Sequence, residues 1–202
     1  MILVDDFINN FSISFPKLQG LFPWDITQNL PALISDMING LDENYKIENG
    51  IAIHLTANVE NGAVLKAPVI VGRNCFIGAH AYLRGGVLLA SNVKIGTGCE
   101  IKSSIILDNS SIAHFNFVGD SIIGSNVNFE AGSITANHFN ERIDKTISVF
   151  YQNEIISTGV TKFGSLVGDG SKVGANAVLS PGTILNAGSI VKRLELVDQM
   201  SK

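Results

Sequence analysis

One histidine of four, His114, stands where a repetitive sequence loses its step, in "SSIAHFNFVGDSIIG". A neutral imidazole titrates near pH 7, so it can take a proton from an attacking amine. Upstream, Lys66, Arg84 and Lys102 recur every 18 residues, each directly after a large aliphatic residue (Leu65, Leu83, Ile101). If the chain stacks residues 18 apart, they form a column of cations. Like charges on adjacent strands repel, so such a column is either a solvated basic stripe or a ladder for phosphate, which would turn repulsion into charge-assisted hydrogen bonding. Downstream, "GSNVNFEAGSITANHFN" supplies amide side chains able to donate to a developing oxyanion. His54, His80 and His138 share no metal-ligand spacing with His114, so no metal site is expected; His54 and His80 read as corner residues. Lys162 and Lys172 read as solvated surface or as contacts for a phosphorylated ligand.

Positioning these groups falls to a six-residue rhythm. Large aliphatics stand at Ile53, Val59, Leu65, Val71, Ile77, Leu83, Leu89, Ile95, Ile101 and Leu107, and again at Val167, Val173, Leu179, Leu185 and Val191. Small or β-branched residues sit four positions later, as at Ala63, Val69, Cys75, Ala81, Val87, Val93 and Cys99. A period of six fits neither an amphipathic helix nor simple alternation, and predicts an all-β parallel β-helix of short strands and tight corners. Between the two runs the rhythm continues as Ile112, Val118 and Ile123, with five-residue steps from Leu107 and from Val118. His114 lies between them. Failures of local consistency often mark functional sites.

Residues 1–50 have a different texture. "PWDITQNLPALISDMINGL" places Ile26, Leu30, Ile34 and Ile38 on one helical face, with Asp25 and Gln28 in a capping-box-like start and Pro31 expected to kink or split the run. This segment is expected to be a helical cap over the open end of the first coil. The β-helix is expected over 51–193, with a loop excursion at about 138–154 and a tail at 194–202. Only 16% of residues are charged, and the net charge of −4 provides no drive toward nucleic acid. "MILVDDFINN" does not read as a secretory signal and no run reaches the ~18 apolar residues of a membrane span, so a soluble cytoplasmic protein is expected. Cys75 and Cys99 read as reduced core residues.

The repeat resembles the left-handed hexapeptide-repeat proteins, whose triangular coils of 18 residues would place the three cations in one column. "YLRGG", "CEIKSS", "HFNFVGDSIIGSNVNFEAGSITAN" and "TKFGSLVGDGSKVGANAVLSPGT" resemble the acetyltransferase half of the bifunctional glucosamine-1-phosphate acetyltransferase/N-acetylglucosamine-1-phosphate uridylyltransferase family, with a nearer likeness to the archaeal sugar-1-phosphate nucleotidylyltransferases that carry such a half. The likeness covers roughly residues 60 to 190, and "PWDITQNL" resembles the preceding linker. It implies an N-acetyltransferase using acetyl-CoA on a hexosamine 1-phosphate, without the nucleotidylyltransferase domain, whose glycine-rich loop is absent. It implies His114 as general base, Arg84 and Lys102 as phosphate ligands, Phe117 and Asn128 beside the sugar, Asn137 near the acetyl thioester, and Ala131 as a backbone contact for acetyl-CoA. It also implies a homotrimer and allows a separate nucleotidylyltransferase as partner. Three positions depart from the family pattern: Phe117 replaces a tyrosine, Ile143 a loop lysine for which Arg142 or Lys145 could substitute, and Glu130 a small residue. A non-catalytic sugar-nucleotide-binding β-helix, or an acyltransferase for a nucleotide-linked amino sugar, are the alternatives.

Overall fold

A computed structural model describes residues 2–199. From Ile51 onward the chain winds into a β-solenoid of three faces, in which each hexad contributes one short strand and one corner. The first face stacks Val64–Leu65, the beginnings of Tyr82–Leu89 and Glu100–Ile106, then Phe117–Gly119, Ile134–Thr135, Val178–Leu179 and Leu196–Val197, all parallel. The second face runs from Ile51–His54 through Val69–Val71 to Ile122–Ile123, Ser165–Val167 and Thr183–Leu185. The third is a seven-stranded ladder ending at Ile190–Val191. An antiparallel strand, Tyr45–Glu48, pairs with Ile51–His54 and closes the edge of the first coil. The last coil runs on through Leu196–Val197, inside the segment expected as a tail; Met200–Lys202 of that tail lie outside the described residues.

The predicted inward residues form one continuous core, including Val71, Ile77, Leu83, Leu89, Ile95 and Ile101. Cys75 and Cys99 lie within it as free thiols, and burial pushes the Cys75 thiol up to about 11. One expectation needs correction. The inward residue after Ile101 is Ile106, and Leu107 turns outward into a second cluster. The first five-residue step therefore lies between Ile101 and Ile106, one hexad earlier than expected; the second, Val118 to Ile123, is where the sequence places it. Two consecutive coils are thus 17 residues long, with Ile101 registered to Val118 and Val118 to Thr135. The deletion falls at one corner, next to Lys102.

In the amino-terminal segment the open edge of the first coil is covered by the strand Tyr45–Glu48 and not by the helix. Its helix, Pro23–Ile38, lies along the second face, whose outward residues are as apolar as its inward ones. Ala52, Ile70, Leu88, Ile105, Ile122, Leu166 and Ile184 form a single registered column outside that face. Trp24, Ile26, Leu30 and Ile34 bury it, so the helix completes a second hydrophobic layer. The helix passes through Pro31 without interruption, and Ser35 Oγ donates to the Pro31 carbonyl at 2.9 Å. It begins at Pro23, a favoured first position, and Gln28 is used elsewhere, donating to the Lys162 carbonyl at 2.7 Å. Gly86 permits the close approach: a Cβ there would lie 2.8 Å from the Pro31 nitrogen.

The excursion is longer than expected and is structured. It leaves after Asn137, forms the antiparallel pair Ser148–Tyr151 with Glu154–Ser157, and rejoins at Ser165. Phe139, Ile147, Val149 and Phe163 pack into the second cluster beside the helix. Its return is a direct continuation of the shortened corner, for the Gly164 N–H donates to the Asp120 carbonyl at 2.9 Å.

Candidate active site

The first face carries the candidate residues in two groups, one at each of its corners. On its surface Arg84 is registered with Lys102 and Lys102 with Gly119, while Lys66 follows the registered pair Leu65–Leu83. The predicted cation column therefore exists. It is not free, however. Arg84 Nε and a terminal nitrogen both reach Glu100 Oε1, at 2.7 and 2.6 Å. Lys102 Nζ lies 2.8 and 2.6 Å from the two Asp120 oxygens, and the side chains of that pair are 14% and 4% exposed. Arg84 and Lys66 also flank the Tyr82 ring, at 5.8 and 5.4 Å from its centre. Two carboxylates thus offset two of the three positive charges.

Asn137 belongs to this group. Its Nδ2 donates to Asp120 Oδ2 at 2.5 Å, and its Oδ1 faces His138 Nδ1 at 3.2 Å. Phe117 is half-buried on the same surface, with Gly119 between its ring and the Asn137 amide; a Cβ on Gly119 would lie 2.6 Å from the ring and 3.0 Å from Asn137 Nδ2. Arg142 stacks on Phe139 at 3.3 Å, whereas Ile143 is fully exposed.

His114 stands at the opposite corner, between the third and first faces. Its ring is exposed and its backbone is fixed. The His114 carbonyl accepts the Gly132 N–H at 2.9 Å and the Asn116 side-chain amide at 3.2 Å, and Asn116 in turn accepts the Ser133 hydroxyl at 2.7 Å. Phe115 has φ +56°, but this corner adopts the left-handed conformation on coil after coil, at His80, Gly98, Gly132, Asn176 and Leu194. The strain belongs to the solenoid and not to His114. Ala131 stacks on His114 in the next coil and is exposed. Asn128 is exposed on the third face, registered with Lys172, and does not join the Lys102 group.

Gly96 lies directly beneath His114. A Cβ there would come within 1.8 Å of the Ala113 carbonyl oxygen and 3.0 Å of His114 Nδ1, so the corner cannot accept alanine without moving the imidazole. Gly96→Ala is expected to cost about 1–3 kcal/mol of stability, as overpacking does, and to shift the His114 ring. Thermal melts, with activity assayed well below the transition, separate the two effects.

Glu130 carries its own pairing. Its carboxylate meets the Arg193 guanidinium at 2.7 and 2.6 Å and accepts the Ala175 N–H at 2.9 Å, which holds it below the usual carboxylate range. Glu130 and Arg193, with Asn128, Lys172 and Lys192, line a groove of about 450 Å³ along the last coils of the third face. His54 proves to be a buried strand residue whose Nδ1 is taken by Thr56. Glu100 and Asp120 are the site residues that type and spacing did not single out. Both stand at legible spacings, Glu100 two residues from Lys102 and 16 from Arg84, and Asp120 18 residues after Lys102; what spacing did not show is that the shortened coil registers Gly119 with Lys102 and turns Asp120 round the corner. Among the described residues, no three His, Cys, Asp or Glu side chains are arranged to hold a metal ion, and no helix is long and apolar enough to cross a membrane.

A six-residue repeat of short strands and tight corners around a filled narrow core defines a hexapeptide-repeat β-solenoid, and residues 68–103 match the family model for the hexapeptide repeat of succinyl-transferase. The chain is homologous, over about four fifths of its length, to bifunctional nucleotidylyltransferase/acetyltransferase proteins. A bifunctional sugar-1-phosphate nucleotidylyltransferase/acetyltransferase of Sulfurisphaera tokodaii is 34% identical over 166 residues, 79% of this chain and 41% of that protein. The bifunctional protein GlmU of Methanocaldococcus jannaschii is 35% identical over 167 residues, 79% of this chain and 40% of its own. The chain thus spans about two fifths of the length of these relatives. A solved hexapeptide transferase family protein from Anaplasma phagocytophilum aligns with a TM-score of 0.41 at 19% identity, covering 73% of this chain and 74% of that one.

Proposed function

We propose that this chain is an acetyl-CoA-dependent N-acetyltransferase acting on a hexosamine 1-phosphate, glucosamine 1-phosphate or galactosamine 1-phosphate. The observation that carries the reading is the exposed His114 on a corner held by backbone hydrogen bonds, bordering the face that bears Arg84 and Lys102. The names of the relatives support the same chemistry. The amine attacks the thioester carbonyl carbon, the C–S bond breaks as the tetrahedral intermediate collapses, and the nitrogen's proton passes to the His114 imidazole and on to the departing thiolate. Arg84 and Lys102 receive the phosphate, Asn137 donates near the thioester, and Asn128, Phe117 and Ala131 line the path of sugar and coenzyme.

Among the described residues, Arg84 and Lys102 pair with Glu100 and Asp120 and no hydrogen bond joins either to the His114 ring. A site completed between copies in a homotrimer would bring a base and a phosphate anchor together. A second reading, transfer to a nucleotide-linked amino sugar, draws on the pairing of Arg84 and Lys102 with carboxylates, which weakens the pull on a lone phosphate. The deciding experiment follows thiol release from acetyl-CoA with glucosamine 1-phosphate, galactosamine 1-phosphate and UDP-linked amino sugars. Turnover of a hexosamine 1-phosphate is expected. Turnover of UDP-sugars alone selects the second reading, and none with any acceptor leaves a binding protein.

A further inference from the structure

We propose that Asp120 is a positioning residue that couples the anion anchor Lys102 to the amide of Asn137, and that an incoming phosphate must displace its carboxylate from Lys102. The inference rests on the acetyltransferase reading for its kinetic part only.

Three observations meet at this carboxylate. It is the acceptor for two candidate site residues at once, Lys102 through both oxygens and Asn137 through Oδ2. It is 4% exposed, and Lys102 is 14% exposed, so the pair lies where charges attract strongly and rearrange rarely. Its backbone is held in the left-handed region, φ +47°, at the corner where the coil loses a residue. On a full 18-residue coil, position 120 would stand level with Lys102. The shorter coil registers Gly119 with Lys102 instead and carries Asp120 round the corner, where its N–H donates to the Lys102 carbonyl at 2.8 Å and its own carbonyl accepts the Gly164 N–H. Asp120 therefore ties together the last strict coil, the shortened coil and the returning excursion.

The charge arithmetic gives this arrangement a function. A lysine held by a buried carboxylate is close to neutral as a pair, so a phosphate oxygen gains Lys102 only by replacing an Asp120 oxygen. When that happens, the Oδ2 that orients Asn137 is also disturbed. Binding of the anion and placement of the amide are then one event. The Asn137 amide turns Nδ2 to Asp120, and its Oδ1 lies 3.2 Å from His138 Nδ1.

Two substitutions keep the backbone conformation, since asparagine and glycine both accept positive φ. Asp120→Asn removes the charge and leaves one oxygen for two donors; Asp120→Gly removes the acceptor altogether. Binding of inorganic phosphate and of glucosamine 1-phosphate, measured by calorimetry at low salt, is expected to tighten about three- to tenfold in Asp120→Asn, while kcat for acetyl transfer falls about tenfold or more. A merely structural role would weaken both together. In a Lys102→Met background, Asp120→Asn is expected to leave phosphate affinity unchanged. Weaker or unaltered phosphate binding in a folded Asp120→Asn and Asp120→Gly, or the same gain without Lys102, overturns the proposal. If wild-type protein acetylates none of the amino sugars, the acetyltransferase reading fails, and the phosphate titrations still decide the role of Asp120.

Discussion

His114→Ala lowers kcat for acetyl transfer by about 10²- to 10⁴-fold, the range expected when a general base is removed, and leaves KM for the sugar phosphate within about threefold. The separation of the two effects follows from the geometry. The proposed phosphate anchors, Arg84 and Lys102, stand at the far corner of the first face, joined to Glu100 and Asp120 and not to the histidine. Stability is expected to hold, because the ring is exposed and the corner is fixed by the His114 carbonyl, which alanine retains. Stopped assays from pH 6 to 9, beside thermal melts, check both. Retention of the wild-type rate by a folded His114→Ala removes the base from the mechanism. If the site forms between copies, mixing His114→Ala with Lys102→Ala subunits restores part of the activity, because some junctions then carry both intact residues. Failure of mixed assemblies to recover any activity argues for a site within one chain.

Phe129→Ala is expected to destabilise the solenoid by about 3–5 kcal/mol, the usual cost of deleting a buried aromatic ring. Phe129 is the largest side chain of the inner core and is fully buried, registered between Ile112 below and Val173 above. The core is a narrow stack to which every coil adds inward side chains from three faces, and the inter-strand spacing limits how far the neighbours can move to close the gap. The position matters further: Asn128 and Glu130 flank it, and Ala131 follows at the corner above His114. Denaturant unfolding should show the lost stability, and any remaining folded protein should lose activity as well. A cost below about 1 kcal/mol would mean that the core at this level is loosely filled.

The solenoid was legible because its physics is periodic. In each hexad a large aliphatic residue and a smaller one two positions before it must point inward, and Ala81 with Leu83 and Val93 with Ile95 obey that rule on whichever face they fall. The flank covered by the helix leaves a fainter trace in the same pattern. Ile70 and Leu88 stand 18 apart and are outward-facing, yet no polar residue takes their place, which signals a covered face. The exact position of the first short step was not legible. Ile105, Ile106 and Leu107 are three consecutive aliphatics, any of which fits the core, and packing on both sides of the strand chose Ile106 for the inside. For the site, His114 and the cation column could be read from type and spacing. Glu100 and Asp120 stand at readable spacings from those cations, but the joint contacts of Asp120 with Lys102 and Asn137 could not be read, since they depend on a corner conformation that follows from the shortened coil.

Asn9 donates its N–H to Asp169, 160 positions later, and Asp169 returns a bond from its own N–H to the Phe7 carbonyl. At about 5–20 residues per second during synthesis, those two positions are made roughly 8–30 s apart. Ile2, Val4, Phe7, Ile8 and Phe11, all buried once docked, must wait that long for the surface they cover. The ribosome therefore holds out a greasy stretch while the coils accumulate one by one behind it, and the interval is an opening for chaperones or for mispairing with another nascent chain.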